Sequence, residues 1–270
     1  MKSFAYHKPE TLAGAAALIG TGDEVRPLAG GMTLLPVMKQ RLSAPEGLVD
    51  LSAIAELAGI ARDGDALVVG AMTRHAVVAA SPVARDAIPA LAALAGGIGD
   101  PAVRNRGTLG GSIANADPAA DYPAAVLGLG ATVVTPDRTI AADDFFAGLF
   151  ETALAPGELV TAVRFPVPLA AGYAKFASPA SRFALVGVFV ARFAGGVRVA
   201  VTGAGASVFR VPEMERALAG RFEPAALDGL SVPADGLNSD IHADAQYRAH
   251  LVGVMARRAV AAANGSAGRA

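Results

Sequence analysis

Short apolar runs separated by glycine and proline breaks make up most of the chain, and sustained helical periodicity appears only near its C-terminus. Thr11 opens an apolar stretch that reads as a short helix stopped at Gly20 or Gly22. Val25 to Leu28 is a strand-like run broken by Ala29-Gly30-Gly31. Thr33 to Arg41 then carries apolar residues at 34, 35, 37 and 38 with Pro36 near its start, the pattern of a helix opening at the glycines. Leu48 to Leu51 reads as a further strand, with Ser52 as the cap of a short helix after it. Ile60-Ala61 and Ala66 to Met72 flank Arg62-Asp63-Gly64-Asp65, a hairpin signal. Helices are expected from Thr73 and from Val83 to Leu94, ending at Gly96-Gly97.

Ile98 to Pro123 (IGDPAVRNRGTLGGSIANADPAADYP) breaks this pattern: it shows almost no periodicity and reads as a loop. Beyond it, Ala131 to Thr135 and Glu158 to Phe165 are strands, and Pro166 and Pro168 mark a boundary. Phe183 to Phe193 and Val197 to Thr202 pair across Gly195-Gly196. Glu213 to Leu218 is helical, and Ala243 to Ala263 is the longest helix, with 251, 252, 255 and 259 on one side and Arg248, Arg257 and Arg258 elsewhere. Strands and helices segregated in this way indicate an α+β architecture in three pieces.

The candidate chemistry sits in two glycine pairs. Gly30-Gly31 follows a strand and precedes a helix, where backbone amides and the helix dipole favour an anion. Gly110-Gly111 follows Thr108 in the central segment, and glycine allows such a turn to gather several N–H groups into one concavity. Two such turns could close on the two phosphates of a dinucleotide. If Gly111 adopts φ > 0 and its amide meets a phosphate, Gly111→Ala costs about 1 kcal/mol in the fold. It then costs about tenfold to hundredfold in ligand affinity.

Composition narrows the function classes. A net charge of −1 over 270 residues gives no basic footprint for nucleic acid. The mean hydropathy of +0.44 raises the question of a membrane. However, Tyr122 to Pro136, free of charged residues apart from its flanks, is shorter than the roughly 20 residues a span requires, so a cytoplasmic protein is expected. There is no cysteine, which excludes a disulfide framework, a cysteine nucleophile and a cysteine-ligated iron–sulfur cluster. His7, His75, His242 and His250 are scattered, and Asp117 with Asp121 lacks a third oxygen donor, so no metal site is expected. VRVAVTGAG at 197–205 fails as a dinucleotide fingerprint because Val208 stands where the third glycine is needed. Asp143-Asp144 reads as the acidic start of a helix rather than a catalytic dyad.

AGGMTLLPVMKQRL (29–42), RNRGTLGGSIANADPAADYP (104–123) and the segment 238–260 together resemble the FAD-binding medium subunit of molybdenum hydroxylases. The likeness is to the aerobic carbon monoxide dehydrogenase type, relatives of the flavin domain of xanthine dehydrogenase. It implies a two-part FAD-binding domain, with a small α/β unit at 1–55 and a mixed α/β unit at 56–170. A C-terminal α+β domain of antiparallel strands and helices at 171–270 follows. It implies FAD wrapped by Ala29, Gly30, Gly31, Met32 and Thr33 and by Thr108, Leu109, Gly110, Gly111 and Ser112. Leu28 and Ile98 are implied to line the cofactor, Asp121 to contact its polar edge and Tyr173 to shield the isoalloxazine beside Lys175, while Asp117 structures the loop. Met32 and Ser112 depart from the polar and the acidic or amide residues common at those positions.

The resemblance assigns no catalytic side chain. Its implied function is electron transfer through FAD, from a partner iron–sulfur cluster to an external acceptor. The implied partners are an iron–sulfur small subunit and a molybdenum-cofactor large subunit, in a dimer of heterotrimers. Two alternatives stand beside it: a stand-alone FAD-dependent oxidoreductase, and a non-catalytic dinucleotide-binding assembly module.

Overall fold

The computed structural model describes residues 1–20 and 24–267, so the alternative helix end at Gly22 lies outside the described residues. The elements in chain order open with β1 (Ala5–His7), α1 (Leu12–Ile19), β2 (Val25–Leu28), α2 (Leu34–Lys39) and β3 (Gly47–Asp50). These form a parallel sheet of order β1-β3-β2. Thr11 caps α1, its hydroxyl accepting from the Gly14 amide at 3.1 Å, and Gly20 ends it at φ +61°. Pro27 is tolerated because β2 is an edge strand. Asp50, not Ser52, caps the short 3₁₀ turn after β3: its carboxylate accepts from the Ser52 amide at 2.9 Å.

The middle segment contains β4 (Ile60–Asp63) and β5 (Ala66–Gly70), the expected hairpin. Then come α3 (His75–Ala80), α4 (Pro82–Ala87) and α5 (Pro89–Gly96), three helices where two were expected, because Pro89 restarts the chain after Ile88. The central segment is largely helical: α6 (Pro101–Arg106) and α7 (Leu109–Asn115) precede α8 (Tyr122–Gly128). There follow β6 (Thr132–Val134), β7 (Thr139–Ala141), α9 (Ala142–Phe145), β8 (Phe146–Gly148), β9 (Glu151–Thr152) and β10 (Ala162–Pro166). The five-stranded sheet has the order β4-β5-β10-β6-β7.

The last segment is β11 (Ala170–Ala177), β12 (Ala184–Phe193), β13 (Gly196–Thr202) and β14 (Phe209–Arg210), an antiparallel sheet in that order. It ends with α10 (Pro212–Gly220) and α11 (Ala245–Ala267). β12 is buried on both faces. Phe189 and Ala191 enter the core built by the middle helices, while Val186, Val188 and Val190 enter the core under α10 and α11. This is why ALVGVFVA reads as a continuous apolar run without alternation. The third sheet thus shares a core with the middle segment. Since each large sheet falls within one stretch (5–50, 60–166 and 170–210), we propose 1–55, 56–170 and 171–270 as the domain division.

Helix α11 lies directly on β11. A Cβ on Gly172 would stand 2.0 Å from the Ala259 carbonyl oxygen, so only glycine permits this approach. Arg248 of α11 is 3% exposed rather than solvated: it donates to the Leu185 and Gly203 carbonyls at 2.6 and 3.0 Å and pairs with Asp240 at 2.7 Å. The β12 and β13 ends that it braces in turn hold the loop before α8. Thr202 Oγ1 shares its one hydrogen between the Ala120 and Pro118 carbonyls at 2.6 and 2.9 Å, while the Gly203 amide donates to Pro118 and the Ala184 amide to Ala119. Asp143, in the first turn of α9, pairs with Arg198 and Arg210 of the third sheet at 2.7 and 3.3 Å, a structural use of that carboxylate.

Candidate functional site

The two glycine segments meet. A Cβ on Gly30 would lie 2.2 Å from the Arg106 carbonyl oxygen and 2.7 Å from the Gly107 Cα, so the turn after β2 packs backbone to backbone on the turn before α7. Ala29 Cβ faces Gly111, at 3.2 Å from where a Gly111 Cβ would stand. Gly31 takes φ +73° between the side chains of Leu28 and Leu35, a conformation that favours glycine. Leu28 itself is half-buried.

The two turns differ in what they offer a ligand. In the second, the four amides from Leu109 to Ser112 are taken. Leu109 N donates to the Thr73 carbonyl at 3.1 Å, and Gly110 N to that of Ala71 at 2.8 Å. Gly111 N donates to Thr108 Oγ1 at 3.2 Å and Ser112 N to the Thr108 carbonyl at 3.0 Å. Thr108 is the N-cap of α7, and Gly111 lies in the first turn of that helix without a positive φ, contrary to the expectation for it. In the first turn, the amides of Gly30, Gly31, Met32 and Thr33 make no hydrogen bond among the described residues. Met32 and Thr33 are exposed, and Thr33 supplies no side-chain cap to α2. Four unpaired N–H groups on one glycine turn suit phosphate oxygens.

A second constellation lies beside Ile98. Tyr173 Oη donates to Asp121 Oδ1 at 2.5 Å, and Lys175 Nζ stands 2.9 and 3.1 Å from the two carboxylate oxygens. Lys175 also donates to the Gly97 and Arg182 carbonyls at 2.9 and 2.8 Å. Arg104 fixes the adjacent turn by donating to the Ile98 and Gly99 carbonyls. Burial pushes the Asp121 carboxyl up, against the pull of Lys175 and Tyr173. Burial and the neighbouring carboxylate push the Tyr173 phenol well above its usual range. Asp117 accepts from the Ala119 amide at 2.9 Å, closing an Asx turn, as a loop-structuring residue does.

His75 joins the two constellations, and nothing in the residue pattern signals it beyond its being a histidine. Its amide donates to the Gly107 carbonyl at 3.0 Å, and its ring lies 5.3 Å from that of Tyr122, the neighbour of Asp121. His75 Nδ1 and the Tyr122 hydroxyl are buried without partners among the described residues. Burial, with the nearby Arg104 cation, lowers the imidazole from 6.5 to about 4, so it is neutral at pH 7.

Comparison with known proteins decides what this arrangement belongs to. The family described as FAD binding domain in molybdopterin dehydrogenase matches residues 2–168. The carbon monoxide dehydrogenase medium chain of Afipia carboxidovorans is 39% identical, over 96% of each chain. The chain belongs to this FAD-binding family. The nicotine 6-hydroxylase medium subunit of Paenarthrobacter nicotinovorans is 37% identical, over 94% of this chain and 95% of its own. In three dimensions, reconstituted CO dehydrogenase from Oligotropha carboxidovorans superposes with a TM-score of 0.89 at 36% identity, over 98% of this chain and 99% of that one.

As a member, the chain is an FAD-binding oxidoreductase subunit with an α+β fold. The residues present fit the cofactor, since a turn with four unpaired amides is what a pyrophosphate needs. Among the described residues no helix is long and apolar enough to cross a membrane, and no cluster of three acidic or histidine side chains could hold a metal.

Proposed function

We propose that this FAD-binding chain is the medium-type flavin subunit of a molybdenum hydroxylase, and that the unpaired amides of Gly30, Gly31, Met32 and Thr33 bind the FAD pyrophosphate. That free turn, seated on the second glycine segment, is the observation that carries the assignment. Ala29 lies at the seam between the two turns, and Thr108, Leu109, Gly110, Gly111 and Ser112 form the wall against which the dinucleotide rests. Within that wall, the half-buried Ser112 hydroxyl has no partner among the described residues. Leu28 and Ile98 line the cofactor, and the Tyr173 ring covers the isoalloxazine.

Bound FAD supplies the redox chemistry, taking electrons from a partner's iron–sulfur cluster and passing them to an external acceptor. With no cysteine, this chain cannot ligate such a cluster through thiolates, so the cluster belongs to a small subunit and the molybdenum cofactor to a large one. The assembly is a cytoplasmic dimer of heterotrimers. The choice of substrate lies on the large subunit, a reading supported by the similar identity of this chain to relatives named for carbon monoxide and for nicotine.

The test is turnover with and without partners. The isolated, flavin-loaded chain is expected to reduce dyes at most, and its flavin to be reduced by substrate only when iron–sulfur and molybdenum chains are added. Oxidation of an aldehyde, a purine or carbon monoxide by the isolated chain at ordinary rates would make it a stand-alone oxidoreductase instead.

A further inference from the structure

Two buried polar atoms have no role in the flavin site described above. Tyr122, the first residue of α8, is fully buried, and its hydroxyl has no hydrogen-bond partner among the described residues. His75, the first residue of α3, is 5% exposed, and its Nδ1 has no partner there either. The two rings lie 5.3 Å apart, inclined at 51°. The His75 ring is seated with its Nε2–Cδ2 edge against Gly107, where a Cβ would stand 2.5 Å from Nε2 and 2.8 Å from Cδ2. Nδ1 is the ring atom opposite that edge, so it points away from Gly107 into the interior.

Unpaired polar groups are costly to bury, and native proteins satisfy them with internal water that makes about three hydrogen bonds. The chemistry of this pair suits such a molecule. A phenol both donates and accepts, and the Nδ1 of a neutral imidazole does one or the other according to tautomer. Water answers either arrangement. Burial, with the Asp121 carboxylate nearby, pushes the Tyr122 phenol above its usual range, and the imidazole is neutral at pH 7. A neutral ligand therefore fits the pair better than an ion does.

We propose that a buried water bridges the Tyr122 hydroxyl and His75 Nδ1, and so joins the first turn of α3 to that of α8. His75 holds Gly107 through its amide, and Tyr122 follows Asp121, so the bridge runs between the two constellations. It stands on these protein atoms alone and does not depend on the FAD assignment.

Tyr122→Phe deletes one oxygen and separates the alternatives by sign. Loss of an unpaired hydroxyl would leave the thermal midpoint of the full chain unchanged or raise it. Loss of a bridged one is expected to lower the midpoint by about 2–4 °C, the effect of one net hydrogen bond in a large chain. In a His75→Leu background the water has already lost its second partner, and the same change is expected to cost roughly half as much or less. A high-resolution crystal structure of the unaltered chain should show a water peak about 2.5–3.2 Å from both atoms.

An unchanged or raised midpoint in Tyr122→Phe overturns the proposal. So does an equal cost in both backgrounds, which would give the hydroxyl a partner other than a water shared with His75. Where His75→Leu does not fold, the crystal structure decides. A peak between the two atoms supports the bridge, and a direct bond between the side chains, or no peak, overturns it.

Discussion

Gly30→Ala is expected to release most of the flavin while Gly111→Ala retains it. At Gly30 the new Cβ would stand 2.2 Å from the Arg106 carbonyl oxygen and 2.7 Å from the Gly107 Cα, both backbone atoms. That backbone cannot retreat: Gly107 N donates to the Val103 carbonyl at 2.7 Å, and its own carbonyl accepts from His75 N. The glycine turn must therefore lift away, carrying its four unpaired amides with it. Losing even one charge-assisted hydrogen bond to a phosphate costs about 1.5–3 kcal/mol. That corresponds to about tenfold to hundredfold in affinity. At Gly111 the new Cβ meets the Thr108 hydroxyl at 2.9 Å and Ala29 Cβ at 3.2 Å, and the Gly111 amide is already bonded to that hydroxyl. No phosphate contact is at stake there. The flavin-to-protein absorbance ratio after gel filtration checks the pair, and equal retention would mean that the first turn does not bind the cofactor.

Acid should weaken the fold through His75 before the carboxylates titrate. The imidazole is neutral in the fold, with a pKa of about 4, and about 6.5 in the unfolded chain. Between those values the unfolded state binds the extra proton. The stability due to neutral His75 is therefore complete above about pH 6.5 and is lost as pH falls toward 4, by about 3 kcal/mol in all. That is a large share of the roughly 5–15 kcal/mol typical of a domain. Urea unfolding at pH 7.5 and pH 5 should show most of this loss in the wild type and little of it in His75→Gln. A slope retained in the variant would assign the effect to other groups. Because His75 supports Gly107 and touches Tyr122, flavin should leave over the same pH range.

What could be read in the sequence follows the range of the forces involved. The strand–glycine–helix unit at 25–39, the hairpin at 60–70 and the long C-terminal helix depend on local signals, and they stand within a few residues of where the pattern puts them. The central segment looked like a loop because Pro101, Gly107 and Gly110-Gly111 weaken any helical pattern. It forms α6 and α7 because Asp100 and Thr108 cap them, and because the Ala71 and Thr73 carbonyls satisfy the first amides of α7. Those acceptors come from more than thirty positions away, which no local pattern reports. β11 escaped periodicity as well, and its Tyr173 and Lys175 were placed near the site only by family likeness. Their bonds to Asp121 span 52 and 54 positions. Arg248, read as a surface residue of an amphipathic helix, is buried because the ends of β12 and β13 present carbonyls to it.

Titration of the flavin-free chain with FAD and with FMN shows whether the turn at Gly30–Thr33 binds the pyrophosphate of FAD. Both ligands carry the same isoalloxazine, but FMN has one phosphate to place on the four unpaired amides. With at least one charge-assisted hydrogen bond at stake, FAD should bind one to one and at least about tenfold more tightly than FMN. Equal affinity for the two flavins, or binding of neither, would mean that the turn does not hold the pyrophosphate.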